Sequence, residues 1–172
     1  MIKGIKWAAD DGAKVINMSL GGGGFSQAEQ DAVNYAWNEK GVVLVASAGN
    51  NKTSKAHYPS DYNNVIGVAG TNSSDDRYWW TNYGTKVEVA APGESILSTT
   101  NDGKYGTKSG TSMASPHVAG VAGLVWSVPT LATSKETVRN RIFSGVDKIA
   151  GSGKYWNYGR INACKAVGGA CT

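Results

Sequence analysis

Ser112 sits in the string Ser109-Gly110-Thr111-Ser112-Met113-Ala114-Ser115-Pro116-His117-Val118-Ala119-Gly120, whose residue types could mount a nucleophile on a helix. Gly110 permits a close approach, and Thr111 and Ser112 are helix-starting types. A small, apolar run then continues to Trp126 before Pro129 forbids further helix. Ser112 is therefore expected at the positive helix end, with its hydroxyl exposed. Its own N–H would point to where a carbonyl oxygen gains negative charge. Pro116 falls near the end of the first turn, so it removes at most one intrahelical hydrogen bond. Ala114, Ala119, Gly120, Ala122 and Gly123 suit a helix packed closely on all sides. The same pattern also describes an ordinary capped core helix.

Such a serine must be held by other elements, and the chain alternates them. Ile2, Ile5, Ala9 and Ala13 recur at helical spacing until Asp11-Gly12, and residues 15–18 then read as a strand. Four glycines follow, then a helix from Ser26 carrying Ala28, Val33, Tyr35, Ala36 and Trp37, closed by Lys40-Gly41. Residues 42–46 read as the next strand. The polar stretch 49–64 reads as a long surface loop leading into a strand at 65–70. Residues 72–83 form a second polar loop, residues 87–90 a further strand, and 96–99 with 105–109 a hairpin just before the serine helix. Helices at 134–143 and 162–167 complete the chain. Apolar strands alternating with amphipathic helices predict an α/β fold with a mostly parallel sheet and helices on both faces.

The 172 residues suffice for one domain, spanning 1–172, that buries roughly two-thirds of its unfolded surface. Seventeen basic and thirteen acidic residues leave +4, scattered singly, so no nucleic-acid partner is expected. The longest apolar run, 118–128, is too short for a bilayer, and the N-terminus shows no charged segment followed by an apolar one. A soluble chain with no signal peptide of its own is expected. Cys164 and Cys171 could close a small loop in an oxidising compartment or remain two thiols, and the spacing does not decide. No second Cys or His pair lies near them, so no thiolate metal site is expected.

Three motifs, in residues 15–22, 42–50 and 110–120, make the chain resemble the subtilisin-like serine proteases along nearly its whole length. The resemblance implies the three-layer fold of that family. It also implies a serine endopeptidase with Ser112 as nucleophile and the Asn50 side-chain amide joining the Ser112 N–H around the oxyanion. A polypeptide substrate would lie extended along Ser19, Leu20, Gly21 and Gly22, bound through main-chain hydrogen bonds. Ala46, Ser47, Ala48 and Gly49 would form the opposite wall of the pocket for the residue before the scissile bond, with His57 at its base. One of Trp79 and Trp80 is expected in the core.

The resemblance also exposes what is not found. In the family the order is Asp, His, Ser, and both partners should precede Ser19, where no histidine occurs. His117, five residues past Ser112, cannot face the hydroxyl, and Asp10 and Asp11 end a helix. The chain thus reads as the C-terminal part of a subtilisin-like peptidase, with the N-terminal strands and the catalytic Asp and His elsewhere, and little turnover of its own. The strand at 15–18 would then be an exposed apolar edge, open to the N-terminal part or to self-association. Secretion is implied. Calcium is implied for the complete protein, but no metal ligand is assigned here, because Lys86 near Glu88 would repel a cation. A non-catalytic peptide-binding pseudoprotease would keep the edge and pocket yet has no need for Ser112 and Asn50 together, and a purely structural domain needs neither.

Overall fold

The computed structural model describes residues 1–131 and 133–171. Four short apolar runs form one parallel sheet in the order β1 (Val15–Met18), β2 (Val43–Ser47), β3 (Val65–Thr71) and β4 (Val89–Pro92). β2 and β3 are buried at every position, so their side chains alternate between two cores rather than between core and water. Leu44 and Ala46 face α1 (Ile2–Asp10) and α2 (Gln27–Asn34), packing with Ile5, Ala9, Val33 and Trp37. Val43 and Val45 face the long helix α3 (Thr111–Trp126), with α4 (Lys135–Ser144) and α5 (Ala163–Ala166) behind it. Helix, sheet and helix make the three layers expected from the alternating pattern. A hairpin of β5 (Ile96–Thr99) and β6 (Tyr105–Lys108) leads into α3.

Several details depart from the expected elements. The helix begun at Gln27 continues as a π turn over Tyr35–Glu39, and Gly41 at φ +72 ends it. α3 is not enclosed on all sides. Thr111, Ala114, Ser115, Val118, Val121, Ala122 and Val125 are buried, whereas Pro116, His117, Gly120, Gly123 and Leu124 are exposed. A Cβ at Gly120 or Gly123 would meet nothing within 4 Å, so among the described residues no element covers that face. β1 is likewise an edge, while the outer side of β4 is bridged by the segment around Arg160. Val15 and Ile16 on this edge are half-buried. Cys164 and Cys171 form a disulfide. Trp80 packs on Gly70 and Tyr78 but is only half-buried, and Trp79 is exposed, so neither joins the core clusters and Trp80 covers the end of the sheet from its rim.

Glu88 ties the layers together at the start of β4. Its Oε2 accepts the Gly67 N–H of β3 at 2.7 Å, and a Cβ at Gly67 would lie 2.7 Å from the Lys86 carbonyl oxygen. Loss of hydration pushes the carboxyl up to about 7, against the opposing Gly67 bond and the Arg139 charge.

Two stability measurements check these contacts. Leu44→Ala removes a fully buried side chain from the centre of the sheet and should lower the unfolding free energy by about 2–5 kcal/mol in urea titration. A carboxyl whose pKa is raised in the fold stabilises fully below its ordinary 4.5, and that stabilisation fades as pH rises towards 7. Glu88→Gln should abolish this decline in urea midpoints across that interval. His57, whose pKa burial lowers, contributes an opposite slope below its ordinary value, and the Glu88 variant should leave it in place.

Candidate active site

Parallel strands place their carboxyl ends together, and loops leaving adjacent ends can converge. Ser19, Leu20, Gly21 and Gly22 leave β1, while Ala48, Gly49 and Asn50 leave its neighbour β2. The N-terminus of α3 comes to the same end of the sheet. Ser112 Oγ donates to the Ser19 carbonyl oxygen at 3.3 Å, and Ser19 Oγ donates to the Ser112 carbonyl oxygen at 2.8 Å. Pro116 explains the second bond. It stands four residues after Ser112 and has no N–H, so the Ser112 carbonyl lacks its helical donor, and the Ser19 hydroxyl replaces it. Asn17 steadies Ser19 through its amide N–H, 2.9 Å from Ser19 Oγ, and accepts the Ser115 hydroxyl on its carbonyl oxygen.

Asn50 is oriented by donor arithmetic. The Gly49 N–H donates to Thr111 Oγ1 at 3.1 Å, so that hydroxyl gives its own proton to Asn50 Oδ1 at 2.9 Å. The Thr111 N–H donates to the same oxygen at 3.0 Å. With Oδ1 doubly engaged, Nδ2 carries both free protons, and among the described residues it has no acceptor. The Ser112 N–H, in the first turn of α3, has no intrahelical acceptor either. Two unpartnered donors, on Asn50 and Ser112, therefore belong to residues that line one cavity at the positive end of a 16-residue helix.

Among the described residues neither histidine hydrogen-bonds Ser112. His117 Nδ1 donates to the Met113 carbonyl oxygen at 2.8 Å and is exposed. His57 lies across a cavity of about 410 Å³ that Ser112 shares with Leu20, Gly21, Ser47, Gly49 and Asn50. The main-chain groups of Leu20 and Gly21 have no hydrogen-bond partner among the described residues, and Leu20 is exposed, whereas the Gly22 N–H is taken by the Tyr58 carbonyl. Ala46 and Ala48, expected in the pocket wall, instead turn their side chains into the two cores beneath it. Extended chain alternates, so only Ser47 and Gly49 line the cavity.

Thr111, Asn17 and Asn82 were not anticipated. Asn82 donates to the Ala48 carbonyl and accepts the Asn51 and Thr53 N–H groups, holding the loop that carries Asn50. Each acts on a partner at least 31 positions away or through a residue that is itself so placed, and no local spacing marks it.

Calcium does not fit the half-buried Glu88. Glu88 already spends an oxygen on Gly67, and Lys86 and Arg139 line the same cavity of about 470 Å³, where a dication would be repelled. No group of three His, Cys, Asp or Glu side chains able to hold a metal occurs among the described residues. No helix among them is long and apolar enough to cross a membrane.

Comparison with known proteins identifies the frame in which these groups sit. The family model described as the subtilase family matches residues 1–159. Thermitase of Thermoactinomyces vulgaris is 51% identical over 95% of this chain and 57% of its own length. Subtilisin DY of Bacillus licheniformis is 43% identical over 94% of this chain and 60% of its own. A solved protease structure from Pseudoalteromonas arctica superposes with a TM-score of 0.88 at 33% identity, over 96% of this chain and 57% of that one. The chain thus spans less than two-thirds of the length of the relatives it matches. With the parallel sheet, the serine-bearing helix and the paired donors in place, the chain belongs to the subtilase family.

Proposed function

We propose that this chain is the serine-bearing, C-terminal portion of a subtilisin-like serine endopeptidase, and that a preceding segment supplies the aspartate and the histidine. The observation that carries it is the pair of unpartnered donors, Asn50 Nδ2 and the Ser112 N–H, near a hydroxyl that neither histidine hydrogen-bonds among the described residues. Ser112 attacks a peptide carbonyl, and the two donors take the charge that develops on its oxygen. A polypeptide lies along Ser19, Leu20 and Gly21, and the main chain of Leu20 and Gly21 is free to pair with it. A peptide binder that does not cut would have no use for both donors standing empty.

Two open surfaces support a missing segment. The exposed face of α3, with Pro116 and His117 lining a cavity at Ser112, and the unpaired edge of β1 are both left uncovered among the described residues. Thermitase extends well beyond the region matched here. The disulfide accords with an oxidising, extracellular setting.

Reconstitution tests this reading. Adding the part of thermitase that lies N-terminal to the matched region should make Ser112 reactive to a fluorophosphonate probe and start peptide hydrolysis, and Ser112→Ala should abolish both. Complete absence of labelling in the reconstituted complex would reject Ser112 as the nucleophile. Asn50→Ala should then lower kcat roughly 10- to 100-fold with little change in KM, the worth of one hydrogen bond to a charged oxygen. The chain alone should self-associate in light scattering through the β1 edge and α3 face, and the added segment should reverse it. A monodisperse monomer at all concentrations would show that these surfaces are not sticky.

A further inference from the structure

Two cavities meet at Ser112. One, of about 340 Å³, lies between α3 and the hairpin and is lined by Ile96, Leu97, Met113 and His117. The other holds Asn50, so a carbonyl seated on Asn50 Nδ2 and the Ser112 N–H, with its chain along Leu20 and Gly21, directs its own side chain there. Among the described residues His57 is the only acidic or basic side chain lining this second cavity.

The His57 ring is fitted between two glycines. A Cβ at Gly49 would stand 2.8 Å from Cδ2 and 2.9 Å from Nε2, and a Cβ at Gly21 would collide with Cε1. Gly49, at φ +98, has a conformational reason to be glycine, but Gly21 does not. Its missing side chain makes room for the ring and for the Tyr58 carbonyl. His57 Nδ1 lies 3.5 Å from Ser60 Oγ, whose one proton goes to the His57 carbonyl at 2.7 Å or to Asp61. Nδ1 therefore carries the hydrogen, and Nε2 keeps a lone pair with no partner among the described residues.

We propose that His57 determines specificity: its imidazole closes the pocket for the side chain next to the scissile carbonyl and, once protonated, selects an acidic side chain there. The inference rests on the peptidase reading for the direction of the substrate. A neutral Nε2 only accepts, so a carboxylate against it is desolvated and unpaired; a protonated Nε2 donates to it. Asp61 is the charge that bears on the ring, with Lys86 bearing on Asp61 in turn. The groups facing it from the β1 loop, the β2 loop, the Asn82 loop and α3 are uncharged. Burial outweighs Asp61 and keeps the ring neutral to below its ordinary 6.5, so the switch falls on the acid side of neutrality.

The test uses the chain as it stands, with three acetylated tetrapeptides ending in Glu, Gln or Leu, titrated by calorimetry at about pH 5.5 and 8. The chain has two histidines, so the His57 C2–H resonance is identified by its loss in His57→Asn. The Glu-to-Leu affinity ratio should rise about tenfold at the lower pH, with Gln unchanged and the His57 titration moved upward by the bound Glu peptide. His57→Asn should flatten the ratio, and His57→Lys should favour Glu at both pH values, each with an unchanged circular dichroism spectrum. An equal pH shift of the ratio in the wild type and His57→Asn, with all three peptides bound, would overturn this inference and leave the peptidase reading intact. Failure of all three peptides to bind would overturn it together with the groove along Leu20 and Gly21, while fluorophosphonate labelling would still judge Ser112.

Discussion

One amide oxygen holds the site together. Asn50 Oδ1 accepts two hydrogens from Thr111, and the Thr111 hydroxyl accepts the Gly49 N–H in turn. The end of β2 and the start of α3, 61 positions apart, are thereby joined by three hydrogen bonds around a fully buried threonine. Because every lone pair needed inside this knot is used, the amide cannot turn, and its N–H groups face outward. The geometry of the donors beside Ser112 follows from the packing of α3 on the sheet.

Pro116 works from within the helix to the same end. By withholding one donor it frees the Ser112 carbonyl for the Ser19 hydroxyl, and Asn17 links Ser19 to Ser115 one turn further along α3. β1 is thus coupled to Ser112 and to the helix behind it. A defect in regular structure, placed four residues from the serine, becomes the joint between the helix and the chain leaving β1.

Burial treats the two sensitive side chains in opposite ways. Glu88 and His57 both lose water, and both are driven towards their neutral forms, which raises the acid and lowers the base. At Glu88 the loss is tolerated because a strand N–H is satisfied and two cations stand nearby, and these same cations make the cavity hostile to calcium. At His57 Asp61 is the one opposing charge and burial outweighs it, while the ring lines the cavity that holds Ser112.

The alternation of apolar runs with helical spacing determined the order of strands and helices, since a parallel strand buried on both faces must be apolar throughout. Motif strings singled out Ser112 and Asn50 as candidates, because such a reading needs only residue type and immediate neighbours. The spacing of Cys164 and Cys171 left their pairing open until their backbones were seen to approach. Tertiary structure alone decided the rest. Ala46 and Ala48 turned out to face the cores, because alternation along the chain leaving β2 depends on its register against β1. The small residues of α3 fit either a fully enclosed helix or one with a bare face, and only the absence of neighbours within 4 Å of Gly120 and Gly123 distinguished the two. Thr111, Asn17 and Asn82 gain their roles from partners distant in sequence, and hydrogen bonds between such partners exist only after the sheet has brought them within 3 Å or so of one another.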